Sequence, residues 1–123
     1  MAEQTAVYRK HILVAEDDPG ARESLCLLLR IDRHTVAAAT NGKEALALFG
    51  QQPFDLVIVD YAMPEMQGHQ LAQNIRQIAP AQPIIMITAY FEKVVDSDIP
   101  VDHILSKPYG IEDLRRSIAK VLY

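Results

Sequence analysis

Five runs of apolar residues, each about the length of one strand, alternate along this 123-residue chain with segments of helical period. The runs are His11–Ala15, Thr35–Ala39, Leu56–Asp60, Pro83–Thr88 and His103–Lys107. They are continuously apolar rather than alternating, a pattern typical of strands that are covered on both faces. Because strands that alternate with helices form βαβ units, the pattern predicts a parallel sheet between two helix layers, a three-layer αβα sandwich.

The segments between the runs carry helix signals. Predicted helices begin at about Pro19, Gly42, Gly68, Phe91 and Ile111. The first has an acid, Asp18, at its N-cap and a proline at its first position, which is a favoured combination. The third places Leu71, Ile75 and Ile78 on its inner side. The fourth is predicted to be short, about Phe91 to Asp96, because a proline four residues later limits its extension.

The composition is that of a single soluble globular domain, which we place at residues 10–123 after a loose leader at 1–9. Half of the residues are apolar and 23% are charged. The net charge of −4 argues against direct nucleic-acid binding. No run approaches the ~18 apolar residues of a membrane span, and the polar leader is unlike a signal peptide. The single cysteine, Cys26, cannot form an internal disulfide, so the expected compartment is the reducing cytoplasm.

Charged and hydroxyl side chains stand where four of these strands end. Glu16 and Asp17 follow the first strand, Asp60 ends the third, Thr88 the fourth and Lys107 the fifth. In open α/β sheets, ligands bind in the crevice beyond the carboxyl ends of the strands. Converging carboxylates repel one another unless a cation lies between them, and oxygen ligands suit Mg²⁺. We therefore expect a divalent-cation site at this edge of the sheet.

The motifs around these residues resemble the receiver domain of bacterial two-component response regulators, in particular single-domain receivers of the chemotaxis type. The resemblance covers about residues 10 to 123. The matching segments are Ile12–Pro19, Asp60–Gly68, Ile87–Ala89 and Lys107–Pro108. Asp-x-x-Met-Pro-x-Met-x-Gly, which begins at Asp60, is a specific signal. The resemblance implies a flavodoxin-like, doubly wound sheet with strand order 2-1-3-4-5.

The resemblance also implies a role for each site residue. Asp60 is expected to be the nucleophile that accepts a phosphoryl group and forms an aspartyl phosphate. Thr88 and Lys107 are expected to contact the phosphoryl oxygens. Mg²⁺ is the expected cofactor, for which Mn²⁺ can substitute. Its expected ligands are Glu16, Asp17, Asp60 and the backbone carbonyl of Ala62.

The function that the resemblance implies is a switch, not an enzyme with a turnover substrate. At most, the domain would catalyse its own phosphorylation and dephosphorylation. The expected phosphodonor is a sensor histidine kinase or a histidine phosphotransfer domain. Phosphorylation is expected to change the surface formed by the fourth helix, fifth strand and fifth helix, and so its affinity for a downstream output protein or a fused effector. We expect this domain to bind neither nucleic acid nor a membrane. The sequence is compatible with a homodimer.

Two features depart from the family pattern. Receiver domains usually carry an aromatic residue three positions before the lysine, where this chain has Ile104. Tyr90, two residues after Thr88, is a candidate substitute, and we hypothesise that its bulk slows the attack of water on the phosphoryl group. The segment between Thr88 and Lys107 is shorter than usual, which predicts an unusual partner or mode of dimerisation.

Three other functions compete with the phosphoacceptor. The main one is a receiver-like interaction module that works without phosphorylation. A magnesium-dependent phosphatase of the haloacid dehalogenase type needs Asp-x-Asp-x-Thr on the first strand, where this chain has Asp17-Asp18-Pro19. A flavodoxin-like flavin binder needs a phosphate loop rich in Ser, Thr and Gly, and the acids of this chain would repel a phosphate there.

Overall fold

The computed structural model describes residues 7–95 and 98–123, which form five strands and five helices in strict alternation. The strands are β1 (His11–Ala15), β2 (Thr35–Ala39), β3 (Leu56–Asp60), β4 (Ile84–Thr88) and β5 (His103–Ser106). The helices are α1 (Pro19–Ile31), α2 (Gly42–Phe49), α3 (Gly68–Ile78), α4 (Phe91–Val94) and α5 (Ile111–Leu122). The predicted elements are confirmed, with β4 and β5 each one residue shorter than expected.

All five strands are parallel and lie in the order β2-β1-β3-β4-β5, as the resemblance implied. The register decides which strand ends are neighbours at the carboxyl edge. The pairs closest to that edge are Ala15–Val59, Asp60–Ile87 and Thr88–Ser106. The residues that follow β1 and the last residue of β3 therefore lie side by side.

Side chains on the two faces of the sheet form two separate core clusters, which makes the fold a three-layer αβα sandwich. The first cluster lies on the face covered by α2, α3 and α4, and its members include Leu13, Val57, Met86, Ala45, Leu71, Ile75 and Val94. The second lies on the face covered by α1 and α5, and its members include Ile12, Ile58, Ile87, Leu25, Leu29, Leu114 and Ile118. Alternate residues of one strand enter opposite clusters, which explains why the strands read as continuously apolar.

Short polar contacts fix where the helices begin. Asp18 Oδ2 accepts a hydrogen bond from the amide of Ala21 at 2.8 Å, so the predicted N-cap of α1 is confirmed. Asn41 Oδ1 accepts from the amide of Glu44 at 2.7 Å and caps α2 in the same way. Each cap satisfies an N–H group that has no partner within its helix.

The structure corrects the sequence analysis at two places and does not test it at a third. Ile78, expected on the inner side of α3, is 64% exposed, because the apolar face of the helix runs one turn further than the core that it covers. The predicted end of α4 at Asp96 lies outside the described residues, and the described helix is a single turn. Of the expected loose leader, 1–6 lie outside the described residues, but Val7 is buried in the second core cluster because its apolar side chain packs there.

None of the described helices is long and apolar enough to cross a bilayer.

Candidate functional site

The carboxyl edge of the sheet places the acidic residues of β1 and β3 together. Ala15 pairs with Val59. The residues that come next, Glu16 after β1 and Asp60 at the end of β3, are therefore neighbours at the edge. The backbone amide of Glu16 donates to the carbonyl of Ala39 at 3.1 Å, which continues the pairing with β2 one residue further. The backbone positions from which these two carboxylates extend are therefore fixed by the sheet.

Gly68 allows the loop after β3 to fold back against the end of the strand. Its amide donates to the carbonyl of Tyr61 at 2.9 Å. A Cβ atom at this position would overlap the carbonyl oxygen of Asp60 and would lie 2.9 Å from Cα of Tyr61. The start of α3 thus approaches the backbone of Asp60 more closely than any side chain would permit.

Three carboxylates converge at this edge. Glu16, Asp17 and Asp60 each offer one oxygen, and these oxygens lie within 4.8 Å of one another. Glu16 and Asp60 are buried, with 4% and 7% of their surface exposed, and Asp17 is half-buried. A set of hard oxygen donors with this spacing and burial suits a small divalent cation such as Mg²⁺.

One positive charge contacts the carboxylates. Lys107 Nζ lies 2.8 Å from Asp60 Oδ1 and 3.5 Å from Glu16 Oε1. The backbone amide of Lys107 donates to the carbonyl of Thr88 at 2.8 Å, so the lysine extends directly from the end of β5. The peptide bond between Lys107 and Pro108 is cis.

The pKa values in this cluster show how poorly two of the carboxylates are solvated. Burial, together with the charge of Asp60, raises the pKa of Glu16. Burial also raises the pKa of Asp60, although the hydrogen bond and charge of Lys107 and a hydrogen bond from the amide of Ala62 oppose it. Burial pulls the pKa of Lys107 down, but the hydrogen bond with Asp60 and the charges of Asp60 and Glu16 outweigh it, and the pKa rises. Burial is thus the main reason why ionisation of Glu16 and Asp60 is disfavoured in the folded protein.

Thr88 ends β4 one residue beyond the register partner of Asp60 and is buried, with 1% of its surface exposed. Its hydroxyl oxygen accepts a hydrogen bond from the backbone amide of Tyr90 at 2.8 Å. The ring of Tyr90 is half exposed, and the ammonium of Lys93 lies 5.5 Å from its centre. Ile104 is partly buried and packs against the first core cluster.

The protein-family comparison agrees with this arrangement. The model of the response regulator receiver domain matches residues 12–119, which is most of the chain. The chain belongs to the response regulator receiver domain family. The identification rests on a match that runs through all five strands, so it covers the acidic edge as well as the fold.

Known receiver proteins are similar over nearly the whole length of this receiver domain. The response regulator receiver protein CpdR of Brucella abortus (strain 2308) is 38% identical over 116 residues, which cover 92% of this chain and 97% of the relative. The crystal structure of the response regulator TrrA of Thermotoga maritima, in complex with Mg²⁺–BeF, has a TM-score of 0.86 and 34% identity, covering 92% of this chain and 99% of that one. TrrA in complex with the histidine kinase ThkA has a TM-score of 0.82 and 34% identity, covering 93% and 99%.

Side-chain contacts in this receiver domain join four of the five predicted strand-end residues, namely Glu16, Asp17, Asp60 and Lys107. The strand register places the fifth, Thr88, at the same edge. Ala62 contacts the cluster through its amide, and the metal-binding role expected for its carbonyl stays a prediction.

One contact of the site escaped the sequence analysis. Arg22 Nη1 donates to the backbone carbonyls of Glu16 at 2.9 Å and Asp17 at 3.3 Å. A charged residue inside an amphipathic helix normally indicates a solvated face, so spacing alone gives no sign of this contact. The signal that was available is the position of a cation in the first turns of a helix, where the helix dipole disfavours it.

Proposed function

We propose that this protein is a phosphoacceptor of two-component signalling and that Asp60 accepts a phosphoryl group from a phosphohistidine of a histidine kinase. The observation that carries the proposal is the placement of the Asp60 carboxylate, 2.8 Å from the ammonium of Lys107 and within 4.8 Å of two further carboxylates. Phosphoryl transfer needs a positioned nucleophile and compensation of charge. The rigid carboxylate of Asp60 meets the first need, and the Lys107 ammonium together with a cation bound by the three carboxylates would meet the second.

In the transfer step, a carboxylate oxygen of Asp60 attacks phosphorus and forms a new P–O bond. The P–N bond to the donor imidazole breaks, and its electron pair stays on the nitrogen. The ring leaves as neutral imidazole with the proton on its other nitrogen. No oxidant or further reactant is needed. Because Asp60 and the phosphoryl group are both anionic, the step requires positive charge close to the reacting oxygens.

Lys107 supplies part of that charge. Its ammonium already contacts Asp60 Oδ1 and lies between Asp60 and Glu16. An ammonium is a compact charge on a flexible stem, so a small rotation suffices for it to follow an oxygen of the newly attached phosphoryl group. Transfer thus replaces the ion pair with Asp60 by an ion pair with the aspartyl phosphate.

The acidic cluster fits Mg²⁺ as the cofactor. Glu16, Asp17 and Asp60 would hold it, because three carboxylate oxygens, the hard donors that Mg²⁺ prefers, converge within 4.8 Å. A bound Mg²⁺ supplies compensation of charge between these carboxylates and an anionic phosphoryl group. The carbonyl of Ala62 is the fourth proposed ligand from the protein.

The site is connected to α4 through one short hydrogen bond. The hydroxyl oxygen of Thr88 accepts from the amide of Tyr90, and the carbonyl of Tyr90 in turn accepts from the amides of Lys93 at 2.9 Å and Val94 at 3.2 Å. When the Thr88 hydroxyl turns toward a phosphoryl oxygen, Tyr90, the N-cap residue of α4, follows it. The surface of α4, β5 and α5 thereby changes its affinity for an output partner, without an aromatic side chain at position 104.

The solved relatives support both the donor and the cofactor. TrrA forms a complex with the histidine kinase ThkA and, in another crystal, with Mg²⁺–BeF. TrrA shares 34% of its sequence with this chain and has a TM-score of 0.86 over 92% of it, which supports the same donor class and cofactor here.

An interaction module that is never phosphorylated is the second candidate, and Ile104 is the observation that favours it. If the signal of a receiver depended on an aromatic residue at this position, phosphorylation of this chain would have no output. The connection from Thr88 to α4 provides another path, so we place the phosphoacceptor first.

Incubation with acetyl phosphate and Mg²⁺ tests the proposal, with intact-mass measurement of the product. We expect the wild-type chain to gain one phosphoryl group, Asp60→Asn to gain none, and the exposed-site control Asp98→Asn to behave as the wild type. Removal of Mg²⁺ with a chelator should abolish labelling. If the wild type gains no label, and beryllofluoride with Mg²⁺ causes no chemical-shift change around Thr88, the proposal is wrong and the interaction module is favoured.

A further inference from the structure

Arg22 makes an unusual pair of contacts beside the acidic cluster. It lies in α1, yet its side chain turns back along the chain and Nη1 reaches the carbonyls of Glu16 at 2.9 Å and Asp17 at 3.3 Å. These are the two residues that β1 contributes to the cluster. Its own backbone amide donates to the carbonyl of Asp18 at 2.9 Å, the first hydrogen bond of the helix. Backbone and side chain of one residue thus contact three successive residues of the β1–α1 turn.

The helix itself disfavours a cation at this position. Arg22 is the fourth residue of α1, close to the end where the helix dipole is positive, and the acid that lies there is the N-cap residue Asp18. Positions that break a local rule in this manner are expected where function requires them. The two carbonyl contacts add to the compensation that the Asp18 carboxylate provides.

The contacts act on the geometry of the carboxylates. The amide of Glu16 is held by Ala39 of β2, and Glu16 Oε2 accepts from the amide of Asp18 at 3.2 Å. Arg22 holds the two remaining backbone acceptors of the turn, the carbonyls of Glu16 and Asp17. Three carboxylates within 4.8 Å repel one another, and the turn that carries two of them is the part that repulsion would displace.

We propose that Arg22 is a positioning residue for the cation site, which fixes the β1–α1 turn so that the carboxylates of Glu16 and Asp17 stay converged on Asp60. The inference rests on the proposed function, since it takes the acidic cluster to be a Mg²⁺ site. Arg22 does not touch the reacting atoms, and its effect passes through the backbone of the two residues that it contacts.

Two effects of Arg22 on Mg²⁺ binding have opposite signs. Its positive charge lies beside the cluster and repels a cation, so charge alone predicts that removal tightens binding. Its hydrogen bonds hold the ligands in place, so positioning predicts that removal weakens binding. Loss of a group that orients metal ligands typically costs about 10-fold to 100-fold in metal affinity. The direction of the change therefore identifies the role.

The test is a titration of the full chain with Mg²⁺, in which the amide chemical shifts around Asp60 and Thr88 report binding. We expect Arg22→Ala to weaken Mg²⁺ affinity by about 10-fold or more. Arg22→Lys keeps the charge but loses the planar guanidinium, and we expect a smaller loss, about three-fold to ten-fold. The matched control is Arg30→Ala, which removes one exposed cation from the last turn of the same helix and should leave Mg²⁺ affinity unchanged.

Unchanged or tighter Mg²⁺ binding in Arg22→Ala would overturn the inference. A thermal melt of each variant separates this result from a failure to fold. If Arg22→Ala does not fold, Arg22→Lys decides, because weaker binding in a folded Lys variant supports the inference and unchanged binding overturns it. If the wild type itself binds no Mg²⁺, the proposed function is contradicted. If the wild type and the Arg22 variants bind Mg²⁺ equally well, only the inference about Arg22 is contradicted.

Discussion

The two sides of the carboxyl edge are built very differently. On the β1–β3 side, α1 has 13 residues and α3 has 11, and Asp18, Arg22 and Gly68 fix the loops that carry the carboxylates. On the β4–β5 side, α4 has four residues, no side-chain cap and a single buried residue, Val94. Three apolar side chains around it are exposed instead: Tyr90 at 50%, Phe91 at 37% and Val95 at 44%.

Under the proposed function, this difference suits separate tasks for the two sides. The side that holds the carboxylates needs a fixed geometry, because cation binding and in-line transfer tolerate little displacement. The side that carries Thr88 needs to move at low free-energy cost, and segments with few buried contacts are the ones that open most easily. The proposed switch would therefore combine a closely packed binding side with one thinly packed responding element, the helix α4.

The largest effect is expected from Gly68→Ala, which tests whether the β1–β3 side is as closely packed as the contacts indicate. The new Cβ would overlap the carbonyl oxygen of Asp60, a backbone atom that cannot rotate away. We expect the free energy of unfolding to fall by about 3 kcal/mol, and phosphorylation to be lost even where the variant folds. Urea unfolding and acetyl phosphate labelling measure the two effects.

Gly50→Ala is the matched control for this substitution. Its Cβ would meet nothing closer than the carbonyl oxygens of Leu46 and Ala47 at 3.7 Å. We expect a change in the free energy of unfolding of less than about 1 kcal/mol, in the stabilising direction. Equal effects of the two substitutions would mean that the β3–α3 loop yields easily, and the contrast between the two sides would disappear.

Much of the site was predictable because the sequence indicates where the strands end. The apolar runs that end at Ala15 and Asp60 locate the carboxyl edge, and parallel pairing brings the residues that follow to the same place. Hydrophobic periodicity is a local property, and so is the N-cap at Asp18, which the structure confirms. The strand order, in contrast, came from the resemblance, since periodicity does not say which strands are neighbours.

Contacts that depend on the direction of one side chain were not predictable. Arg22 gives no periodic signal, because its role depends on its side chain turning back to the carbonyl of Glu16. Ile78 fits the apolar face of α3 by spacing, but the core ends before it does. Val7 looked like part of a polar leader, and only the folded domain offers the apolar surface on which it packs. Each of these features requires three-dimensional packing that a one-dimensional pattern does not contain.

A smaller effect is expected from Asp60→Asn without Mg²⁺, which tests whether the fixed side is held under repulsion. The folded-state pKa values of Asp60 and Glu16 are raised, so ionisation costs the folded state more than the unfolded one. The stability that the protonated carboxyl groups of Asp60 and Glu16 contribute is fully present below their unfolded-state pKa values. It is lost as the pH rises through their raised folded-state pKa values. We expect Asp60→Asn to be more stable than the wild type by about 1 kcal/mol at neutral pH, and the difference to shrink as the pH falls through the raised pKa values.

Chemical unfolding of both proteins in chelator, at several pH values, measures this difference. His34, whose pKa is lowered by burial, affects both proteins equally and cancels from the comparison. Mg²⁺ should then stabilise the wild type more than Asp60→Asn, since only the wild type has all three carboxylates. A wild type that is at least as stable as Asp60→Asn at neutral pH would show that Lys107 fully compensates the carboxylates.

The smallest effect on stability, and the most direct test of the responding side, is expected from Thr88→Val. Valine keeps the shape of threonine but removes the oxygen that accepts from the amide of Tyr90 at 2.8 Å. We expect the free energy of unfolding to fall by about 1 kcal/mol, the cost of one hydrogen bond. Amide exchange in α4 should accelerate by about five-fold, the rate equivalent of that energy, while α1 keeps its protection.

Thr35→Val, at an exposed position of β2, is the control and should leave the exchange of α4 unchanged. If Thr88→Val accelerates exchange equally in α1 and α4, the loss is global and the hydrogen bond is ordinary packing of a buried strand end. If α4 alone responds, the bond between Thr88 and Tyr90 is the link by which the site reaches the output surface. The signal then needs no aromatic residue at position 104, because the carbonyl of Tyr90 accepts from the amides of Lys93 and Val94 and so couples its backbone to α4.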